Sequence, residues 1–505
     1  MAVTSGSTDT SGGTLAIRLF DPGMTPLHRV GLGGLWMTLR VMEAEHPELQ
    51  EALYELGGRW ATGAQGVEFT WTGDGRGFFQ RLIQESFRLT EDGRFWFLGL
   101  GHPDDQGDGG VTLQEALLNT FLQHGRTRKA DPSNRPSGAI TLETDGQSRG
   151  MQFRRVSFYA HQREGVFQPK DSNPVAGWQF PGGAVRHVAF SAATELKEPP
   201  GRWLALLFAP VGAVYFRIRR RTQGVRPQFC LVLSEVGDLE TFAQARHLFL
   251  RASVRARIVS GTADAALRVM AELQAADLLE DLRSCRCSVA SFGVAPWASQ
   301  QKTRVDVFDI QGLSSSGLRI HRRALQLFPV LPVPEGPARN LQQDQEEPAG
   351  QLRWETNPVL DLMARNLVRG HPWWRDFASL VANVESRMQM SRYEYIRRST
   401  GRPVREGGLP AMVADPDALG SKGAETIVRA CHEAWRRRMG ALIERAESRG
   451  ERFYDLIDRE RERLRISLAH CKNAATLRGV LTDFWSRAGG PYRSCRRGGK
   501  PFCPI

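Results

Sequence analysis

"LFDPGMTPLHRVGLGGLWMTLR", Leu19 to Arg40, decides how the N-terminal part of this chain is read. It holds three close glycines, Gly31, Gly33 and Gly34, beside a histidine and an arginine. One reading is a glycine loop that cradles phosphate. The spacing is GxGG, because Trp36 stands where a GxGxxG fingerprint places its last glycine. That fingerprint also needs a preceding strand and glycines at the turn. Here Thr25 offers a cap and Pro26 takes the first helical position. Leu27, Val30, Leu35, Met37 and Leu39 then supply apolar helical positions. Glycine within a helix marks the close approach of another element. The stretch is therefore expected to be a tightly packed helix. His28 reads as structural, lacking a neighbouring acid or nucleophile to pair with.

Working outward, residues 14–328 mix strand-like and helix-like runs without a βαβ rhythm. Strand-like runs include "VEFTWT", "RHVAFSA", "QFCLVL", "CSVASFGV" and "TRVDVFDI". Helix-like runs include "GFFQRLIQESF", "TLQEALLNTFLQHG" with a capping Gly125, and "ADAALRVMAELQAADLLEDL". "WLALLFAPVGAVYF" (203–216) is predicted as two buried strands joined by a Pro-Val-Gly turn. The fold class that follows is α+β: a mixed strand and helix domain over 14–328, followed by an all-α bundle. The proline-, glutamine- and acid-rich text of 329–352 reads as a linker. Helical spacing after it predicts a bundle over 353–488. Residues 1–13 and the basic 489–505 read as disordered tails.

The 505 residues have ordinary globular composition, 41% hydrophobic and 24% charged, enough for a large core. No apolar run is long enough to span a bilayer, and the N-terminus lacks a signal peptide's pattern. A cytoplasmic protein without a membrane partner is expected. Seven cysteines without a CxxC pair argue against a disulfide framework or a zinc knuckle. The net charge is +12, and its distribution is uneven. Residues 351–505 hold 29 Lys plus Arg against 18 Asp plus Glu, a surplus of 11. The first 350 hold 38 against 37. A GC-rich genome explains arginine over lysine but not this asymmetry. A concentrated, arginine-rich field is the footprint of a nucleic-acid binder.

"DDQGDGGVTLQE" (104–115) has the outline of a calcium loop, but its third position is Gln106 and no helix precedes it. An acidic surface loop is the expectation. No phosphate-binding loop, HExxH, GxSxG or paired-aspartate signature is present. No cofactor or metal is expected. The alternative from another class is a metal-dependent nuclease using Asp104, Asp105, Asp108 and Glu115. A third is a standalone RNA-binding regulator. The basic clusters are better candidates for function. "RTRK" places Arg126, Arg128 and Lys129 after a helix, and "RIRRRTQGVR" (217–226) follows a strand. "SQQKTR" (299–304) lies between two strand-like runs, where a hairpin tip would reach out. There Gln300 and Gln301 suit an adenine edge, and Lys302 and Arg304 suit phosphate or guanine. Arg436, Arg437 and Arg438 lie along a helix, as do the arginines before Lys472. Three acids in that second run, Asp458, Glu460 and Glu462, predict intrahelical ion pairs.

The opening stretch, together with "PWASQQKTRVDVFDI" and the C-terminal "ACHEAWRRRMGALIERA" and "RERLRISLAHCKNAATLRGVLTDFWSRAG", resembles the large subunit of type I CRISPR Cascade complexes. The likeness is to the myxobacterial, DevT-like subgroup. It implies a non-catalytic protein docked at the 5′-handle end of a crRNA-guided complex. The N-terminal part would read the protospacer-adjacent motif in duplex DNA and help open it. The helical part would resemble the Cascade small subunit and lie along the displaced strand. Implied partners are the crRNA, target double-stranded DNA and the other Cascade subunits. A downstream helicase-nuclease or Tn7-like transposition proteins would act next. On this reading Gln300, Gln301, Lys302 and Arg304, then Arg126, Arg128 and Lys129, contact the duplex or its motif. Arg436, Arg437, Arg438 and Lys472 contact backbone or displaced strand.

Overall fold

The computed structural model describes residues 12–123, 125–130, 137–144, 147–181, 196–218, 228–278, 286–294, 303–311, 313–334, 352–399, 408–413 and 422–489. Both expected tails, apart from Gly12, Gly13 and Gly489, and the run "RHVAFSA" lie outside these. The chain divides into two compact units. One comprises 1–318 and 330–375, the other 319–329 and 376–505. The architecture is α+β, with strands and helices first and helices alone at the C-terminal end.

The first unit begins with an antiparallel sheet, β1 (Gly13–Arg18), β2 (Gly58–Gly63) and β3 (Gly66–Trp71), in the order β1-β3-β2. Around it run α1 (Pro26–Glu45), α2 (Pro47–Glu55) and α3 (Arg76–Ser86). Next come the hairpin β4 (Phe87–Leu89) and β5 (Phe95–Phe97), then α4 (Gly109–Asn119). Strand β6 (Arg128–Ala130) pairs with β9 (Val156–Tyr159), enclosing the hairpin β7 (Ser137–Thr144) and β8 (Gln147–Arg154). The short β10 (Asn173–Pro174) and β11 (Lys197–Glu198) precede α5 (Pro200–Gly212). A five-stranded sheet closes the unit, with β12 (Val214–Ile218), β13 (Gln228–Ser234), β14 (Ile258–Val259), β15 (Arg286–Val294) and β16 (Thr303–Gln311). Its order is β14-β12-β13-β15-β16. Helices α6 (Leu239–His247) and α7 (Thr262–Ala275) connect its strands.

The glycines of the opening stretch are packing glycines. A Cβ on Gly31 would stand 1.9 Å from the Ala205 carbonyl oxygen, and one on Gly34 2.4 Å from that of Phe208. Across the seam, a Cβ on Gly212 would stand 2.0 Å from the Val30 carbonyl oxygen. Gly33 faces the Phe242 ring in the same way. Helices α1 and α5 therefore meet backbone to backbone, which only glycine allows. Thr25 and Pro26 begin α1 as predicted. His28 is buried; the Thr25 backbone N–H donates to its Nδ1 at 3.3 Å, the role a Glu or Gln plays in a capping box.

The structure corrects "WLALLFAPVGAVYF". It is helix α5 through Gly212, then strand β12 from Val214, not two strands. Every residue from Trp203 to Gly212 is buried, so no polar face shows the helical period. A short apolar run of this kind does not reveal its type by periodicity. Pro210 lies inside this helix, in its last turn. Helix α4 stops at Asn119, not at Gly125, which lies in a 3-10 turn.

The units also part elsewhere than at the expected linker. Strand β17 (Leu331–Pro334) pairs with β18 (Leu352–Glu355), and α9 (Pro358–Val368) follows within the first unit. The reason is burial: Val330 and Trp354 close a cluster with Val254 and Ile258. Residues 335–351 lie outside the described set. The second unit takes most of α8 (Ser315–Leu327), then α10 (Phe377–Ala382), α11 (Val384–Ser399) and α12 (Gly408–Val413). The long helices α13 (Lys422–Arg449), α14 (Phe453–Ala469) and α15 (Ala474–Arg487) complete it. Among the described residues no helix is long and apolar enough to cross a membrane.

Candidate nucleic-acid interface

The register of the five-stranded sheet sets the ends of β12 and β15 and the starts of β13 and β16 at one end of the sheet. Ile218 at the end of β12 pairs with Gln228, where β13 begins. Phe229 pairs with Phe292 of β15, and Val294 pairs with Thr303, where β16 begins. The connections 219–227 and 295–302 therefore leave from one end of the sheet, on neighbouring strands. They carry "RRRTQGVR" and "SQQK". Gln300, Gln301 and Lys302 themselves lie outside the described residues. Arg304 stands on β16 opposite Gly293.

The second cluster divides. Arg126 and Lys129 are exposed, and the Lys129 ammonium lies 5.5 Å from the centre of the Phe158 ring. Arg128 turns inward and donates to the Leu118 carbonyl at 2.9 Å. Burial, then repulsion from Arg154, lowers its pKa to about 10. It serves the fold rather than a ligand. Exposed Arg163 takes its place, donating to the Arg126 carbonyl at 2.7 Å. Sequence reasoning missed Arg163 because it is a lone arginine, 37 residues away, with no local pattern.

In the second unit the arginine triplet splits three ways. Arg436 is exposed and has no ion-pair partner among the described residues. Arg437 pairs with Glu433 at 2.5 Å. Arg438 reaches Glu460 at 3.2 Å, and Arg487 reaches the same carboxylate at 2.7 Å. Glu460 is 6% exposed and so ties α13, α14 and α15 together. Lys472 is exposed just past the end of α14. The expected intrahelical pairs are present, Arg461 with Asp458 and Arg465 with Glu462.

The acidic loop does not form a carboxylate centre. Arg94 donates to Asp104 at 2.6 Å, and that bond is the first cause holding its carboxyl below the usual range. Glu115 faces Arg154 at 2.8 Å. Gln106 is buried and donates to the Leu100 carbonyl, while Asp108 precedes α4. Among the described residues no group of three His, Cys, Asp or Glu is placed to hold a metal ion.

Two family models match this arrangement. The DevT N-terminal domain covers residues 16–207, taking in the α1–α5 seam, and the DevT C-terminal domain covers 418–498, the three long helices. The chain belongs to the DevT family. A relative in Myxococcus xanthus (strain DK1622), named CRISPR-associated protein Cas8a1/Csx13, is 28% identical over 500 residues. The match covers 94% of this chain and 82% of that relative. The likeness read from the sequence, to a DevT-like CRISPR-associated large subunit, therefore holds.

Proposed function

We propose that this DevT-family chain is the non-catalytic large subunit of a crRNA-guided type I surveillance complex in the cytoplasm. It recognises the protospacer-adjacent motif in duplex DNA and stabilises the displaced strand. The observation that carries this is the near full-length match to the CRISPR-associated relative, with a DevT domain at each end. The physical reading supports it. Guide pairing supplies the sequence information, so the protein needs a short duplex readout and backbone contacts. Gln300, Gln301 and Lys302, which precede β16 in the sequence, and Arg304 on β16 are assigned the motif. Arg126 and Lys129 are assigned the duplex backbone, joined by Arg163. Arg436 and Lys472, exposed on the helical unit, are assigned the displaced strand. Arg437 and Arg438 are engaged by acids in the free chain.

The test is co-purification of a tagged copy from its native host. A stoichiometric short RNA with a constant 5′ handle and further Cascade subunits is expected; a lone chain without RNA overturns the proposal. In that complex, Gln300→Ala with Gln301→Ala relaxes motif preference. Arg126→Gln with Lys129→Gln weakens duplex binding evenly and lowers its salt slope by about 2.

A further inference from the structure

A second glycine-rich run, "TGDGRGFF" (72–79), joins β3 to α3. Gly73 and Gly75 hold positive φ, 70° and 72°, a turn that glycine makes without strain. Helix α3 begins at Arg76, and its cap residue, Gly75, has no side chain to satisfy the first amides. Asp74 accepts from the Arg76 N–H at 3.0 Å. The N–H groups of Gly77 and Phe78 have no acceptor among the described residues. Cβ atoms built on Gly73 and Gly77 would meet nothing within 4 Å, whereas those on Gly31 and Gly34 run into backbone. Two exposed cations flank the loop: Arg76, and Lys170, whose Nζ lies 3.4 Å from the Gly73 carbonyl oxygen. Under the loop lies Trp71, the last residue of β3 and 5% exposed. The pyrrole edge of its indole faces Gly75, where a Cβ would stand 2.5 Å from both Cδ1 and Nε1. That Nε1–H is buried without an acceptor. Gly13 packs against the other edge of the indole and Phe79 stands edge-on at 5.3 Å, so the ring is held facing the loop.

We infer that this loop and the first turn of α3 bind a phosphate group. Two independent features point there. The first is the helix start, where unpaired amides and the positive end of the helix dipole favour an oxyanion. The second is the Trp71 indole. A buried donor left without an acceptor is costly and rare in folded proteins, and a phosphate oxygen settling into the loop supplies what is missing. A tetrahedral phosphate has oxygens enough for the amides, the indole and the two cations; a carboxylate has only two. Asp74 is the group that opposes the ligand. Its exposed carboxylate lies 3.8 Å from the Arg76 guanidinium and offsets part of that charge. The site stands apart from the duplex and displaced-strand contacts assigned above and does not rest on them. It was not singled out in the sequence because GxGxG lacks the spacing of the familiar phosphate loops, and because Trp71 and Lys170 join it only through the fold.

The experiment uses the full chain, labelled with nitrogen-15 at the tryptophan indoles and titrated with inorganic phosphate at constant ionic strength, with chloride as the control. The indole signal that disappears in Trp71→Phe identifies Trp71. In the wild type that signal should shift saturably with phosphate, as an N–H gaining an acceptor does. By calorimetry, Trp71→Phe should weaken phosphate binding about fivefold, the scale of one lost hydrogen bond. Arg76→Gln with Lys170→Gln should weaken it about tenfold, and Asp74→Asn should tighten it about twofold by removing a like charge. Gly77→Ala guards against misfolding as the cause. Its new methyl leans toward the helix N-terminus and suits a helix, so the fold should hold while phosphate binding falls. A glycine of merely structural role predicts an unchanged phosphate response there. A short single-stranded RNA, with and without a 5′-phosphate, is the second probe. A response to inorganic phosphate assigns the site to free phosphate or a monoester, and a response to RNA alone assigns it to a backbone phosphodiester; either upholds it. No Trp71 shift with either probe, a shift that chloride reproduces, or wild-type affinity in Gly77→Ala overturns it.

Discussion

The two units bury their polar and apolar groups to different degrees. The first buries two of its histidines and some arginines. His161 is fully buried among Phe87, Phe97 and Trp178, and Arg246 and Arg257 donate to main-chain carbonyls inside. The helical unit exposes what a core would take: Val384, Met388, Tyr395, Tyr454 and Ile466 are each at least 45% exposed. One of its core clusters joins only Leu442, Ala446 and Leu456 with Phe453. The first unit is thus shaped from within, by close packing. Among the described residues the second is held by small apolar clusters and by ion pairs such as Glu460 with Arg438 and Arg487.

The sharpest way to break this contrast is one type of substitution made in both units. Gly31→Val drives side-chain atoms into the Ala205 carbonyl and should cost about 3 kcal/mol in the first unit. Gly440→Ala, in open space within α13, should stabilise the second by about 0.5–1 kcal/mol. Peptide-resolved hydrogen exchange on the full chain reads each unit separately. Equal responses would dissolve the distinction.

Acid is the next lever. Burial holds the pKa of His28 at about 4 and that of His161 at about 3, so both are neutral when folded. The unfolded chain titrates near 6.5, so below that pH it binds more protons than the folded one. Stability is therefore complete above 6.5 and falls with pH from there towards the folded values. By pH 5 the loss is about 2 kcal/mol for each histidine. Half-exposed His432 is also shifted down, by burial and then by Arg436, so the helical unit has a weaker acid response. Exchange protection in the first unit should fall most on going from pH 7 to 5, and His161→Phe should flatten that dependence. An equal fall in both units would count against burial as its cause.

The finest distinction lies within one triplet. Arg438→Gln leaves Glu460 with Arg487 alone and should cost about 1 kcal/mol of helical-unit stability. Arg436→Gln should change stability by less than about 0.5 kcal/mol while weakening nucleic-acid binding. Thermal melts and salt-dependent titrations of the pair separate the two roles. If Arg436→Gln melts early and binds normally, its assignment is wrong.

Much of the fold was legible. The α1 helix, with Thr25, Pro26 and its glycines, was read correctly because capping and close approach are local rules. The long helices α13 to α15 showed their period because one side of each faces water. Helix α5 was misread for the opposite reason, since a run buried on every side has no polar phase. The second-unit assignments were only partly legible. A triplet of arginines looks uniform as text, yet geometry gives Arg436 to solvent, Arg437 to Glu433 and Arg438 to Glu460.

The sequence by itself determined the α+β class, the family likeness, the packed glycine helix and the uneven charge. Those rest on composition, local propensity and spacing along the chain. The tertiary structure alone decided which strand ends lie side by side, that Arg163 joins Arg126, and that Trp435 meets Arg387 and Arg465 around one groove. These are meetings between residues far apart in the chain. They follow from strand order and helix packing, which no local pattern records.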